Sequence, residues 1–234
     1  VTGAGERPAL GWVPDGIAGY SPARFEWAQL DHPEAVAEAR RLWDAARRSK
    51  AAPARIRLCT DASANHRRTA VAVADFWRSA LGIETEIVAL EWNVYLDTRE
   101  QPGDCDLVRL GWSADFVDPE AFAMVFESTH PQNTLGYASA AYDGLLAASR
   151  KETDAAQRMA QLASAESRLL ADVPVIPLFS NTTVSVNRVG FENFRTGPTT
   201  ASSRLDGGQT VPEPSTLALV GLGLAALLSR RRWT

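Results

Sequence analysis

Between Arg55 and Leu90 the residue period changes twice. Ile56 and Leu58 alternate with Arg55 and Arg57, which is the two-residue period of a short strand. Val71, Ala74, Trp77 and Leu81 then form the buried stripe of a helix that Asp61 or Ser63 can cap and that Gly82 can stop. Ile83 to Leu90 reads as the next strand. A strand, a helix and a strand in that order form a crossover, and crossovers join parallel strands of one sheet. The fold class implied is α/β.

The flanking segments extend the pattern. Asp31-His32-Pro33 marks a helix start, followed by Val36, Ala39, Leu42, Trp43 and Ala46 at helical spacing. Asn93 to Arg99 reads as a short helix and Asp106 to Gly111 as a strand. Pro119 to Phe126 and Tyr142 to Ser149 read as helices, and Asp154 starts a long one that Pro174 ends. Val175, Ile176 and Leu178 suggest an edge or bulged strand, because Pro177 cannot donate to a sheet centre. Thr182 to Val186 is the last expected strand. Together these predict one lobe with a mixed sheet.

Composition narrows the function. With 45% hydrophobic and 22% charged residues in 234, the chain can bury a core. A net charge of -4 gives no general electrostatic grip on nucleic acid. Two cysteines exclude a disulfide-stapled mini-fold, and three histidines leave little for a metal site, so no metal and no cofactor are expected. The chain starts at Val1 without a signal peptide pattern and is expected to be a processed chain or a fragment. Cys59 and Cys105 fall at opposite ends of strands expected to be parallel. Two free, partly buried thiols are the expectation.

The stretch from Cys105 to Pro119 carries the chemistry of a binding site. A strand runs into Gly111-Trp112-Ser113-Ala114-Asp115, with Asp118 three residues on. Ligand sites in α/β folds favour the C-terminal ends of strands. A carboxylate there can hold an ammonium group, a tryptophan offers a flat apolar wall, and Arg109 can take a carboxylate. The plainer readings are a core Trp112 and an Asp118 that caps the following helix. Ser113 beside Asp115 does not make a hydrolase, since no histidine lies near and the G-x-S-x-G elbow is missing.

From about Arg7 to about Phe194 the chain resembles the C-terminal half of the oligopeptide-binding receptors of ABC transporters, the extracellular solute-binding proteins of family 5. The resemblance rests on Trp12-Val13-Pro14-Asp15-Gly16-Ile17, Glu91-Trp92, Leu96-Asp97-Thr98-Arg99, Gly111 to Asp115 and Asp118-Pro119. Asn133-Thr134, Gly136-Tyr137, Tyr142-Asp143, Gln157-Arg158, Ala165-Glu166 and Pro174 to Leu178 continue it. It implies one lobe of a type II periplasmic-binding-protein-like fold, with no catalytic residues. It further implies that Asp115 holds a peptide's α-amino group, with Ser113 beside it, and that Trp112 lines a side-chain pocket. Arg109 and Arg99 would lie near the ligand's carboxylate end, and Asn133 in a loop that approaches the ligand. Two departures stand out: Glu100 replaces a frequent histidine, and the family's N-terminal lobe has no counterpart in these 234 residues. The implied partners are a peptide or related amine and a transporter permease. The alternative is an envelope-anchored structural or interaction module that has lost transport.

The tail reads separately. Residues 197–210 are rich in Gly, Ser and Thr and suggest a linker, so that the binding lobe would occupy 1–196. In 211–234, Val211-Pro212-Glu213-Pro214 precedes an uncharged run from Ser215 to Leu228 and then Arg230-Arg231-Arg232. A helix of about 14 residues spans only about 21 Å, short of a bilayer core of about 30 Å. Yet the run has no polar face, and the arginines match positive charge held on the cytoplasmic side. The order resembles the PEP-CTERM sorting signal, which implies a C-terminal hydrophobic membrane helix, an exosortase-type protease, contact with the inner membrane, and residence in the periplasm or cell envelope.

Overall fold

The computed structural model describes residues 5–101, 103–181, 194–196 and 203–205. Contacts divide the chain into a unit formed mainly by residues 1–184 and a second formed mainly by later ones.

In the first unit, β1 (Arg7–Pro8) leads into a loop and then α1 (His32–Arg48). A capping box starts α1: the Glu34 N–H donates to Asp31 at 2.9 Å, and the Asp31 N–H donates back to the Glu34 carboxylate at 3.1 Å. β2 (Ile56–Asp61), α2 (Ala64–Leu81) and β3 (Thr85–Leu90) make the expected crossover. Ser63 caps α2, and Gly82 ends it at φ 67°, a conformation open to glycine at no steric cost. α3 (Trp92–Glu100) then carries the chain back across to β4 (Leu107–Val108). The order is β3-β2-β4, and both pairings are parallel, with Leu58 opposite Ile87 on one side and Leu107 on the other.

The sheet is therefore parallel, not mixed. Each connection between its strands is a helical crossover, and such connections return the chain in the same direction. The edge or bulged strand expected at Val175, Ile176 and Leu178 forms instead at β5 (Phe179–Ser180), beyond Pro177, and pairs antiparallel with β1 in a separate two-stranded ribbon.

The main hydrophobic core lies among the helices that follow β4: α4 (Glu120–Ala123), α5 (Ala140–Ser149) and α6 (Ala155–Asp172). Phe122, Phe126, Tyr142, Leu146, Leu162 and Leu169 are buried there against Val13, Ile17 and Tyr20 of the N-terminal loop. Glu166 ties that loop to α6. It is 1% exposed and accepts from the Trp12, Val13 and Ala23 N–H groups and the Tyr20 hydroxyl, at 2.7–2.9 Å. Burial pushes its carboxyl above the ordinary range, and the four donors oppose that push.

The expected free thiols are not found: Cys59 and Cys105 form a disulfide with Cα atoms 5.9 Å apart. β2 continues past Cys59 to Asp61, so Cys59 lies inside the strand and not at its end. β4 begins against the middle of β2, which carries Cys105, two residues before β4, within reach of Cys59.

In the second unit, β6 (Phe194–Thr196) and β7 (Ser203–Leu205) pair antiparallel, and β7 falls in the stretch read as a linker. The expected strand at Thr182–Val186 and the hydrophobic helix of the tail lie outside the described residues. Among the described residues, no helix is long and apolar enough to cross a membrane.

Candidate ligand-binding site

The C-terminal ends of β2 and β4 lie side by side, and the segment leaving β4 carries the residues singled out in the sequence. The Arg109 N–H donates to the Cys59 carbonyl at 2.9 Å, so Arg109 stands directly at the strand end. Its guanidinium folds over the turn: a Cβ at Gly111 would lie 3.9 Å from Nη2.

Tyr95, from α3, is 3% exposed, and its hydroxyl donates to the Arg109 carbonyl. Burial pushes this hydroxyl above its ordinary value, while the positive charges of Arg99 and Arg109 pull it down. Among the described residues neither has an ion-pair partner, and the Arg99 Nε is buried without a hydrogen bond. A guanidinium without a partner at a strand end, as Arg109 is, can take an anion. Asp61, 4% exposed at the end of β2, is already satisfied by the Ser63 N–H at 2.9 Å and by His66 Nδ1 at 2.5 Å. Burial pushes its carboxyl up, but those hydrogen bonds outweigh it and leave the group below the usual range.

Beyond Gly111 the side chains divide. Trp112 is half-buried against the helical core and donates its indole N–H to the Ala121 carbonyl at 2.8 Å. Ala114 is buried, whereas Ser113, Asp115, Phe116 and Val117 are exposed. The segment is clamped at its far end. Asp118 accepts from the Glu120 N–H at 2.8 Å and takes a two-pronged contact from Arg158 at 2.8 and 2.9 Å. Arg158 and Arg150 both also bond Glu120, and Arg150 grips Glu127. Asp118 is therefore a cap and an anchor, as its plainer reading holds. Asp115 is left exposed between a strand end and this clamp.

Asn133 spends its side chain on its own loop. Its amide donates to the Glu127 and Tyr137 carbonyls at 3.2 and 2.7 Å and accepts from the Tyr137 N–H at 3.2 Å. Two further residues belong to the site region without having been picked out for it. Tyr95 joins Arg109 to α3, and Trp92, 54% exposed, packs on Tyr95 with ring centroids 5.7 Å apart. Glu91-Trp92 was visible as a motif, but its place beside the arginines depends on α3 lying across the sheet end.

A parallel sheet with an unpaired guanidinium at a strand end and an exposed carboxylate in the segment that follows has the make-up of a small-molecule binding lobe. Comparisons with known proteins agree. Residues 1–134 match the model for the middle region of the bacterial extracellular solute-binding proteins, family 5, and residues 210–232 match the PEP-CTERM protein-sorting motif. The chain belongs to solute-binding family 5, a family of binding proteins and not of enzymes. The periplasmic murein peptide-binding protein MppA of Escherichia coli (strain K12) is 33% identical over 182 residues, covering 78% of this chain and 34% of MppA. The solved structure of the Escherichia coli murein tripeptide binding protein MppA matches with a TM-score of 0.69 at 32% identity, over 75% of this chain and 34% of that one. Haemophilus influenzae OppA in complex with RPPGFSPFR gives a TM-score of 0.70 at 30% identity, over 76% and 35%. The chain thus spans about a third of the length of these relatives.

Proposed function

We propose that this chain supplies one side of the ligand cleft of a peptide-binding receptor that serves an ABC transporter permease in the periplasm. The observation that carries the reading is two guanidinium groups without an ion-pair partner among the described residues: Arg109, at the C-terminal end of β4, and Arg99, whose Nε is buried without a hydrogen bond. They take an anionic group of the ligand, and Asp115 takes its ammonium group. Trp112, held by Ala121, and the exposed Trp92 give apolar walls between. Ser113 adds a hydroxyl beside Asp115, and Asn133 contributes by fixing its loop. The names of the relatives, which bind oligopeptides or murein peptides, support a peptide as ligand. The placement in the C-terminal half of such a receptor rests on the sequence motifs alone.

The PEP-CTERM match supports delivery to the cell envelope, with the tail as a membrane helix that an exosortase-type protease processes at the inner membrane. The Cys59–Cys105 disulfide suits an oxidising compartment. Residues 1–196 serve as the binding lobe, 197–210 as a linker and 211–234 as the sorting signal.

NMR titration of the chain with a short unblocked peptide tests the binding reading. The amides of Tyr95, Arg99, Arg109 and Trp112 to Asp115 should shift together, with a Kd in the millimolar range, near about −4 kcal/mol, for one side of a cleft. Shifts confined to α5 and α6, or none at millimolar peptide, would overturn it. Cell fractionation with and without residues 211–234 tests the envelope reading; identical soluble partitioning of both forms would refute it.

A further inference from the structure

β4 is the weakest-held strand of the sheet and the one that carries the site. Its ladder with β2 has two paired positions, Leu58 with Leu107 and Cys59 with Val108, whereas β3 pairs with β2 over six, from Ile56 with Thr85 to Asp61 with Leu90. On its other side, β4 pairs with no strand among the described residues. So short a ladder gives little resistance to slipping or fraying. Yet a one-residue slip would turn Leu107 and Val108 to opposite faces and shift the point from which Arg109 and the segment beyond it leave the sheet.

Cys59 is attached to β4 at both ends. Its sulfur is bonded to Cys105, just before β4, and its carbonyl accepts the Arg109 N–H, just after it. Cys59 is itself 0% exposed, within a strand paired on both sides, so it is a fixed point. A second attachment lies one residue away: the Asp106 N–H donates to the Arg57 carbonyl at 3.0 Å, and the Arg57 N–H donates to the Asp106 carboxylate at 2.7 Å. At the far end, Asp118 is clamped by Arg158. The segment from Arg109 to Asp115 is therefore stretched between a covalent anchor and an ionic one.

We propose that the Cys59–Cys105 disulfide is a positioning cross-link for the ligand-bearing strand: it holds β4 in register on β2 and thereby fixes where Arg109 and the segment up to Asp115 leave the sheet. Its consequence for affinity rests on the binding reading above, but the positioning itself does not. Reduction by a dithiol delivers two electrons and two protons to the cystine, giving two thiols, while the dithiol closes to its own cyclic disulfide. The strand then keeps only its short ladder, the Asp106 contacts with Arg57 and the distant Asp118 clamp.

Amide hydrogen exchange on the full chain decides the matter, comparing the oxidised protein, the protein reduced with dithiothreitol, and the double variant Cys59→Ala/Cys105→Ala. The Asp106 and Arg109 amides should exchange roughly tenfold faster or more without the cross-link, and those of Leu162 to Leu170 in α6 by less than about twofold. Unchanged exchange at Asp106 and Arg109 would overturn the inference. So would an equal acceleration in α6, which would make the bond a general staple. If the double variant does not fold, Cys105→Ser, which leaves the buried Cys59 in place, gives the same readout. Peptide titration of oxidised and reduced protein reports separately on the binding reading: absence of binding in both states refutes that reading and leaves the exchange result to judge the cross-link.

Discussion

Glu166 is a buried carboxylate with no ion-pair partner among the described residues, and it holds two distant parts of the chain together. Four donors converge on it, three of them backbone N–H groups that no other side chain can satisfy. Gly11 makes the approach possible, since a Cβ there would stand 2.2 Å from the Ala23 carbonyl oxygen. Glu166→Ala leaves the Val13 N–H and the Tyr20 hydroxyl buried and unpaired and takes the acceptor from the half-buried Trp12 and Ala23 N–H groups, at a cost on the order of 2–4 kcal/mol, a large share of the 5–15 kcal/mol typical of a domain. Urea unfolding measures it, and a loss below about 1 kcal/mol would contradict the role. Asp118 makes a prediction about pH. Burial pushes its carboxyl up, but Arg158 and the Glu120 N–H outweigh that and hold it below the ordinary range. A depressed folded pKa contributes stability above the unfolded value of about 3.9 and loses it as pH falls through the folded value. Asp118→Asn should therefore flatten the fall in Tm below about pH 4, and an unchanged acid limb would refute the clamp.

The elements were legible wherever a local signal defined them. Asp31, Ser63, Gly82 and Asp154 mark helix ends in the sequence and cap those helices in the structure. Among the features that escaped, two have causes that are not local. The disulfide depends on where β4 begins along β2, a register set by packing and not by the spacing of the two cysteines. The end of α6 is the other. Pro174 announces a stop, but the residue that makes the turn is Val173, at φ 52° and 51% exposed. A β-branched residue is strained in the left-handed region, where glycine is not. Val173→Gly should raise stability by about 1 kcal/mol, read as a higher Tm; a lower Tm would show that the Val173 side chain contributes more than its backbone costs.

At the scale of the molecule, the site was legible as a motif and illegible as a geometry. Gly111 to Asp115 and Arg109 could be picked out because a strand end followed by a Gly-Trp turn and a carboxylate is a recognisable pattern. Tyr95 and Trp92 could not, because α3 brings them to the arginines only after crossing the sheet end. Asn133, in a loop expected to approach the ligand, bonds the backbone of that loop with its amide. The central claim is a cleft wall with two charged poles, cationic at Arg99 and Arg109 and anionic at Asp115. Calorimetric titration of the chain with four versions of one short peptide, each end free or blocked by N-acetylation or C-amidation, tests it most directly. Blocking either end should weaken binding roughly tenfold or more, since a hydrogen bond to a charged group is worth about 1.5–3 kcal/mol. Asp115→Ala should abolish the effect of acetylation alone. Equal binding of all four peptides would contradict the two-pole account.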